Sequence, residues 1–325
     1  MTQATTLADL SNLMTYSAML VLSLAMIAFF VSFAQRRTSA EIVRERVTEP
    51  ALVGGSATAH VDADPATGEA QFEPGRRAGN IAMALTWVAF GLLSVAVLTR
   101  GLWAGRVPWG NMYEFSLVSA FAVLGVFLAV SLTRDVRWMG VFIVPLALLT
   151  LGLAVTVLYT EAAQLVPALQ SYWLVIHVSA AIICGGGFTF AAVTALLYLA
   201  RDSYDRDTRA GRALAPVARR LPPAERLDSM TYRTIMFTFP LWTFAIVAGA
   251  IWAEAAWGRY WGWDPKETWS FIAWVVYAAY LHARSTVGWR GRRAAWLAVA
   301  GVAVYWFNYF GVNLLFSGLH SYAGI

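Results

Sequence analysis

Residues 138–158 read WMGVFIVPLALLTLGLAVTVL, twenty-one consecutive positions without one ionisable side chain. A hydrocarbon core ~30 Å thick is crossed by a helix of about 20 such residues. A lone strand would leave its backbone polar groups unpaired in lipid, so this stretch reads as a transmembrane helix. Working outward, comparable apolar runs lie near 13–34, 79–99, 113–133, 172–199, 235–253, 267–287 and 294–315. The chain of 325 residues is 59% hydrophobic and only 13% charged, against ~25% charged in soluble domains. These features predict an all-α, polytopic membrane protein with about eight transmembrane helices.

Orientation follows from the basic residues, which are retained in cytoplasmic connections. With the N-terminus outside, the inner connections hold 20 of the 24 Lys and Arg residues. Only Arg100, Arg106, Arg259 and Lys266 fall on the outer side. Both termini are therefore expected outside, and the pI near 9.5 reflects topology and not a nucleic-acid partner. The surrounding partner is membrane lipid.

Three regions are expected. Residues 1–37 form a first transmembrane helix, retained because no basic segment or small-residue cleavage site precedes Arg36 and Arg37. Residues 38–78 are polar and rich in Pro, Gly and Ala, which reads as a flexible cytoplasmic linker, with His60 incidental to it. Residues 79–325 form a seven-helix core whose outer face carries the Trp-rich stretch 252–269.

That stretch, WAEAAWGRYWGWDPKETW, places five tryptophans within eighteen residues. Part of it has a plain structural reading. Tryptophans gather at membrane interfaces, which accounts for Trp252, Trp269 and Trp274. Asp264, Pro265 and Glu267 match the cap, first and third positions of a helix start. Interface chemistry does not explain Trp257, Trp261 and Trp263 crowded with Gly258 and Gly262 in the loop. Glycines let backbone approach a large flat ligand, and indoles supply apolar faces for it.

The histidines point the same way. His177 is expected about one turn into the outer end of the fifth span, and His320 follows the eighth, so both face outward. His282 lies about 26 Å along the seventh helix from Pro265 at ~1.5 Å per residue, near the cytoplasmic edge. Singly, each has a bland reading as a hydrogen-bonded interfacial imidazole. Together with Arg259 and Lys266 as cations for propionates, they fit haem, with imidazoles as axial ligands. The chain has one cysteine, Cys184, which excludes an internal disulfide or CxxC pair and is read as a packing residue.

The stretch WGRYWGWDPKETW resembles the WWD motif of haem-handling proteins, and its flanks resemble the CcsA/ResC family of system II cytochrome c biogenesis. The resemblance includes PWGNMYEF with Pro108, Asn111, Tyr113 and Glu114, VPALQSYWLVIHV with His177, YLHAR with His282, and GVNLLFSGLHSY with His320. It runs from about residue 80 to the end. It implies that His177 and His320 are outer haem ligands, and that His282 belongs to a transmembrane haem site completed by a ResB/CcsB-type membrane subunit.

On that resemblance, haem b would be the transient substrate of a cytochrome c synthase in a bacterial plasma membrane, with the haem site on the extracytoplasmic face. Trp257, Trp261, Trp263, Asp264, Trp269, Arg259 and Lys266 would contact haem, and His177, His320 and His282 its iron. Partners would be the ResB/CcsB-type subunit, an apocytochrome c with its CxxCH motif, and a thioredoxin-like protein that keeps thiols reduced. No catalytic nucleophile is expected in this chain. Two rivals stand beside this reading: a haem exporter without ligation, and a b-type electron-transfer subunit, which would need histidine pairs at matching depth in facing helices.

Overall fold

A computed structural model describes residues 2–36, 75–162, 169–211, 216–286 and 289–320. Most of the linker expected at 38–78, including His60, lies outside these residues. Eight long helices coincide with the eight expected spans: α1 (Thr2–Gln35), α2 (Arg76–Ala104), α3 (Met112–Ser131), α4 (Gly140–Thr156), α5 (Tyr172–Arg209), α6 (Ala224–Trp257), α7 (Pro265–Ser285) and α8 (Arg292–Trp306). The described residues contain no strand.

Seven of the eight are long and apolar enough to cross a membrane, and α7 is the exception. Lys266 and Glu267 open it, His282 and Arg284 close it, and its inward face carries Tyr277 and Tyr280, both fully buried. That face packs closely on its neighbours: the Tyr277 ring stacks on Phe188 of α5 at 3.7 Å between centroids. An added Cβ on Gly301 of α8 would lie 2.7 Å from that ring.

Helices α1 and α2 form an antiparallel pair. On α1, Ser11, Thr15, Ala18, Leu22, Ala25 and Phe29 are buried, and on α2, Ala82, Thr86, Ala89, Leu93 and Ala96 are buried. Both series step alternately by four and three residues, the spacing that keeps a seam facing its partner helix. Small residues dominate it and bring the backbones close, so Ser11 Oγ donates to the Ala96 carbonyl at 2.9 Å.

Helix α5 is the central post, with 83% of its apolar window buried against 28% for α1. The run Gly185-Gly186-Gly187 explains how three helices close on it. An added Cβ would lie 2.8 Å from the Tyr305 hydroxyl of α8 at Gly185, 3.0 Å from the Ala122 carbonyl of α3 at Gly186, and 2.4 Å from Thr238 Oγ1 of α6 at Gly187. Cys184 is fully buried beside them, consistent with packing.

Helix α8 does not end cleanly. Residues Phe307–Gly311 form a π-turn before a last helical turn, Val312–Leu315. Such turns shift side-chain register and recur at functional sites. Here the shift turns Asn308, Tyr309 and Asn313 towards one cavity.

Candidate haem site

His177 sits one turn into α5, and its Nδ1 lies 2.7 Å from the Ala245 carbonyl oxygen of α6. A carbonyl only accepts, so Nδ1 carries the proton and Nε2 keeps a lone pair. That is the tautomer a metal requires, set by the bond the other nitrogen makes. Gly249 permits the arrangement, because a Cβ there would meet His177 Cε1 and Nδ1 at 2.7 Å.

The second imidazole is held by the loop. Asp264 Oδ2 accepts from His320 Nδ1 at 2.8 Å and from the Lys266 N–H at 3.3 Å, while Oδ1 accepts from the Leu319 N–H at 2.8 Å. One carboxylate therefore caps α7 and pins the C-terminal segment. Burial pushes its pKa up, but the hydrogen bonds from His320, Leu319 and Lys266 outweigh burial and hold it below the usual carboxylate range. The carboxylate is charged at neutral pH and orients the His320 proton onto Nδ1, leaving Nε2 free. Gly318 lets the chain pass this close, since a Cβ there would lie 2.5 Å from Asp264 Oδ1.

Glu267 completes the capping box and organises the loop. Its Oε2 accepts from the Gly262 N–H at 2.7 Å and the Asp264 N–H at 3.0 Å, and Arg259 pairs with it at 3.3 Å. Trp263 takes a left-handed φ of 59° in this tight turn.

His177 and His320 line the same cavity, about 1220 Å³ of atom-free space including its mouth, together with Trp252, Trp261, Lys266 and Asn308. The Trp252 indole lies near-parallel to His177 at 6.1 Å and edge-on to His320 at 5.4 Å, so one ring flanks both imidazoles. Lys266 lies over the Tyr309 ring at 5.2 Å, and no described carboxylate lies within ion-pair distance of it. Trp109 to Met112 form part of the rim. Fully buried Glu114 anchors that rim by accepting from the Gly110 N–H at 2.8 Å, Arg106 at 2.7 Å and Arg100 at 3.0 Å.

The expected site residues thus divide. His177, His320, Trp261 and Lys266 face the cavity, with Asp264 directly behind His320. Trp257 packs on His320 at 4.7 Å and on Trp252 at 4.8 Å, backing the cavity instead of lining it. Trp269 packs on Phe307 at 4.3 Å, Trp263 is 64% exposed, and Arg259 is engaged by Glu267. His282 stands exposed at the far end of α7, away from the cavity. Sequence reasoning missed Trp252, taken for an interfacial residue, as well as Gly249 and Asn308. Its only available signal was Ala245 and Gly249, small residues one turn apart on a helix face.

The two tryptophans nearest in sequence should therefore behave differently. Trp261→Ala removes a cavity wall and is expected to lower haem retention in the purified protein, read from the Soret band. Trp263→Ala should retain most of it, and equal losses in the two variants would remove the distinction drawn from the cavity.

An all-helical, multi-span membrane protein with two imidazoles presented to one aromatic cavity is the class this architecture defines. Residues 109–320, which contain the cavity and both its histidines, match the family described as Cytochrome C assembly protein, and the chain belongs to that family, among the CcsA proteins of cytochrome c biogenesis. The Cytochrome c biogenesis protein CcsA of Guillardia theta is 38% identical over 244 residues, 71% of this chain and 81% of its own. The CcsA protein of Microcystis aeruginosa is 38% identical over 282 residues, 73% of this chain and 86% of its own. Among solved structures, the Cytochrome c Heme Lyase CcmF is similar in fold, with a TM-score of 0.58 over 93% of this chain and 46% of that chain, at 17% identity.

Proposed function

We propose that this chain is the haem-presenting subunit of a cytochrome c synthase, with haem b as its substrate and a ResB/CcsB-type membrane subunit as its partner. One observation carries the reading. Two histidines on one cavity each commit Nδ1, to the Ala245 carbonyl and the Asp264 carboxylate, which leaves Nε2 of each for iron. The aromatic walls suit a porphyrin face, and Lys266 is the cation available to a propionate.

The protein's contribution is positioning. His177 and His320 would hold the haem iron through their free Nε2 atoms and so limit its exposure to oxygen. Trp252 and Trp257 fix the His320 ring, and the Trp109–Met112 rim bounds the mouth. The apocytochrome CxxCH segment supplies both thiols. In each thioether a cysteine sulfur bonds to one carbon of a vinyl group and the thiol proton passes to the other, with no net redox change. A thioredoxin-like protein would keep those thiols reduced. The 20 to 4 charge asymmetry supports an extracytoplasmic cavity in a bacterial plasma membrane, with both termini on that side and His282 near the cytoplasmic edge.

Co-expression with a ResB-type partner and an apocytochrome, in a host without its own assembly system, tests this reading. Covalent cytochrome c is expected from the wild type, and free haem outside the membrane without covalent product would favour an exporter. His177→Ala and His320→Ala should each lower the yield, with partial recovery when imidazole fills the vacated axial position. Full yield from both variants without imidazole removes the ligand assignment.

Direction of haem movement gives a further expectation. If haem enters from the cytoplasm, His282→Ala should empty the cavity as well as the inner site, and haem added to the outer face should restore cavity ligation. Failure of external haem in this variant, alongside success in haem-depleted wild type, assigns His282 to the fold or the partner interface.

A further inference from the structure

We propose that the groove between α3 and α6, floored by α5, binds one anionic phospholipid from the leaflet beside its two arginines. Helices α3 and α6 both pack on α5 and barely touch each other. The gap between them holds about 940 Å³ of atom-free space including its open side. Its walls include Val126, Ile183, Phe190 and Leu241, and Arg134 and Arg233 line it as well.

The ligand class follows from the polar groups. Neither guanidinium has a hydrogen-bond or ion-pair partner among the described residues. The nearby carboxylates are engaged elsewhere: Asp135 with Arg137 at 2.8 Å and Asp228 with Arg284 at 2.7 Å. No carboxylate lines the groove. Its hydroxyls are turned to their own helices, with Thr234 donating to the Met230 carbonyl at 2.9 Å and Thr238 to the Thr234 carbonyl at 2.8 Å. An apolar trough with two cations unpaired among the described residues selects an amphiphile with an anionic head.

Dimensions select a lipid over a small anion. From Met230 to Leu241 the groove follows α6 for about 16 Å at ~1.5 Å per residue, half of a ~30 Å hydrocarbon core. One acyl chain spans that depth. The groove is open along its length, where Phe237 is 79% exposed and Ile183 51%, so a lipid can enter sideways from the bilayer. Arginine beside a membrane surface favours anionic headgroups over zwitterionic ones.

The test uses the full chain, purified in mild detergent and equilibrated with vesicles of phosphatidylglycerol or of phosphatidylcholine, with bound lipid read by native mass spectrometry. The wild type is expected to keep one phosphatidylglycerol through delipidation. The double variant Arg134→Gln/Arg233→Gln should keep about tenfold less, and Ala129→Trp, which fills the groove without changing charge, should lose it too. Excess inorganic phosphate should not displace the lipid. Retention unchanged in the double variant, or equal for the two lipids, overturns the proposal. So does loss in the arginine variant with full retention in Ala129→Trp, which would put the lipid on a basic surface outside the groove. Displacement by phosphate alone would make the groove's occupant a free anion. Cross-linking of Ala129→Cys to a partner subunit in native membranes, in place of lipid, would make this face a protein interface.

Discussion

Asp264→Ala is expected to lower haem retention in the cavity at least about tenfold, the usual scale for removing a group that orients a metal-ligating histidine. Asp264 accepts hydrogen bonds from His320, Leu319 and Lys266, so its loss frees the C-terminal segment and uncaps α7 together. Two further substitutions separate these roles. Serine caps a helix nearly as well as aspartate, with ~1 kcal/mol at stake, but it is too short to hold His320 and Leu319. Asp264→Ser should therefore restore thermal stability without restoring haem.

Asp264→Asn is the sharper case. Its amide keeps the shape, but it offers one acceptor oxygen where Oδ2 takes both His320 and the capping Lys266 N–H and Oδ1 takes the Leu319 N–H. If the amide nitrogen faces His320, it donates to Nδ1 and moves the imidazole proton to Nε2, where it blocks iron. Asp264→Asn should then stay folded, lose no more than the ~1 kcal/mol of a helix cap, and be poor in haem, with partial recovery on adding imidazole. Wild-type haem content and cytochrome c yield in this variant would reduce Asp264 to a helix cap.

Gly249→Ala should produce a loss of similar size through sterics alone. The new methyl would stand 2.7 Å from two atoms of the His177 ring, closer than carbon atoms tolerate, and α6 backbone cannot retreat without disturbing its packing on α5. The ring must move, breaking the Nδ1 bond to Ala245 that sets its tautomer. Misplacement of a positioned group by about 1 Å can cost on the order of 10²-fold in rate, so cytochrome c yield should fall by about tenfold or more. Gly152→Ala in α4, where nothing lies within 4 Å of the added methyl, is the matched control. Alanine is the better helix former, so neither variant should unfold its helix. Equal haem content in both would show that His177 is not held at this spot.

Much of the fold was legible because its signals are local. Each span is a contiguous apolar run, and the run at 138–158 needs no distant residue to be read as a helix. The α7 start was equally legible: Asp264, Pro265 and Glu267 lie within four residues, and a capping box is a bond between neighbours. Helix α7 was read as a span like the others, but its buried tyrosines and charged ends set it apart. On its inward face the Tyr277 ring packs on Phe188 and against Gly301, which no window over residues 267–287 contains.

Signals contiguous along the chain set the helical membrane class and the loop that caps α7. Tertiary structure alone decided which aromatic rings face the cavity and how each imidazole is oriented. The bond from His177 to Ala245 joins residues 68 apart and that from Asp264 to His320 residues 56 apart, separations with no periodic signature. In the same way Trp252, Trp261 and Trp263 are chemically identical in sequence. Only the packing of α5, α6 and the C-terminal segment sets Trp252 beside two histidines, Trp261 on the wall and Trp263 in the open. Local hydrogen bonds and apolar runs are written along the chain, whereas a cavity is made by surfaces that meet only after the helices have packed.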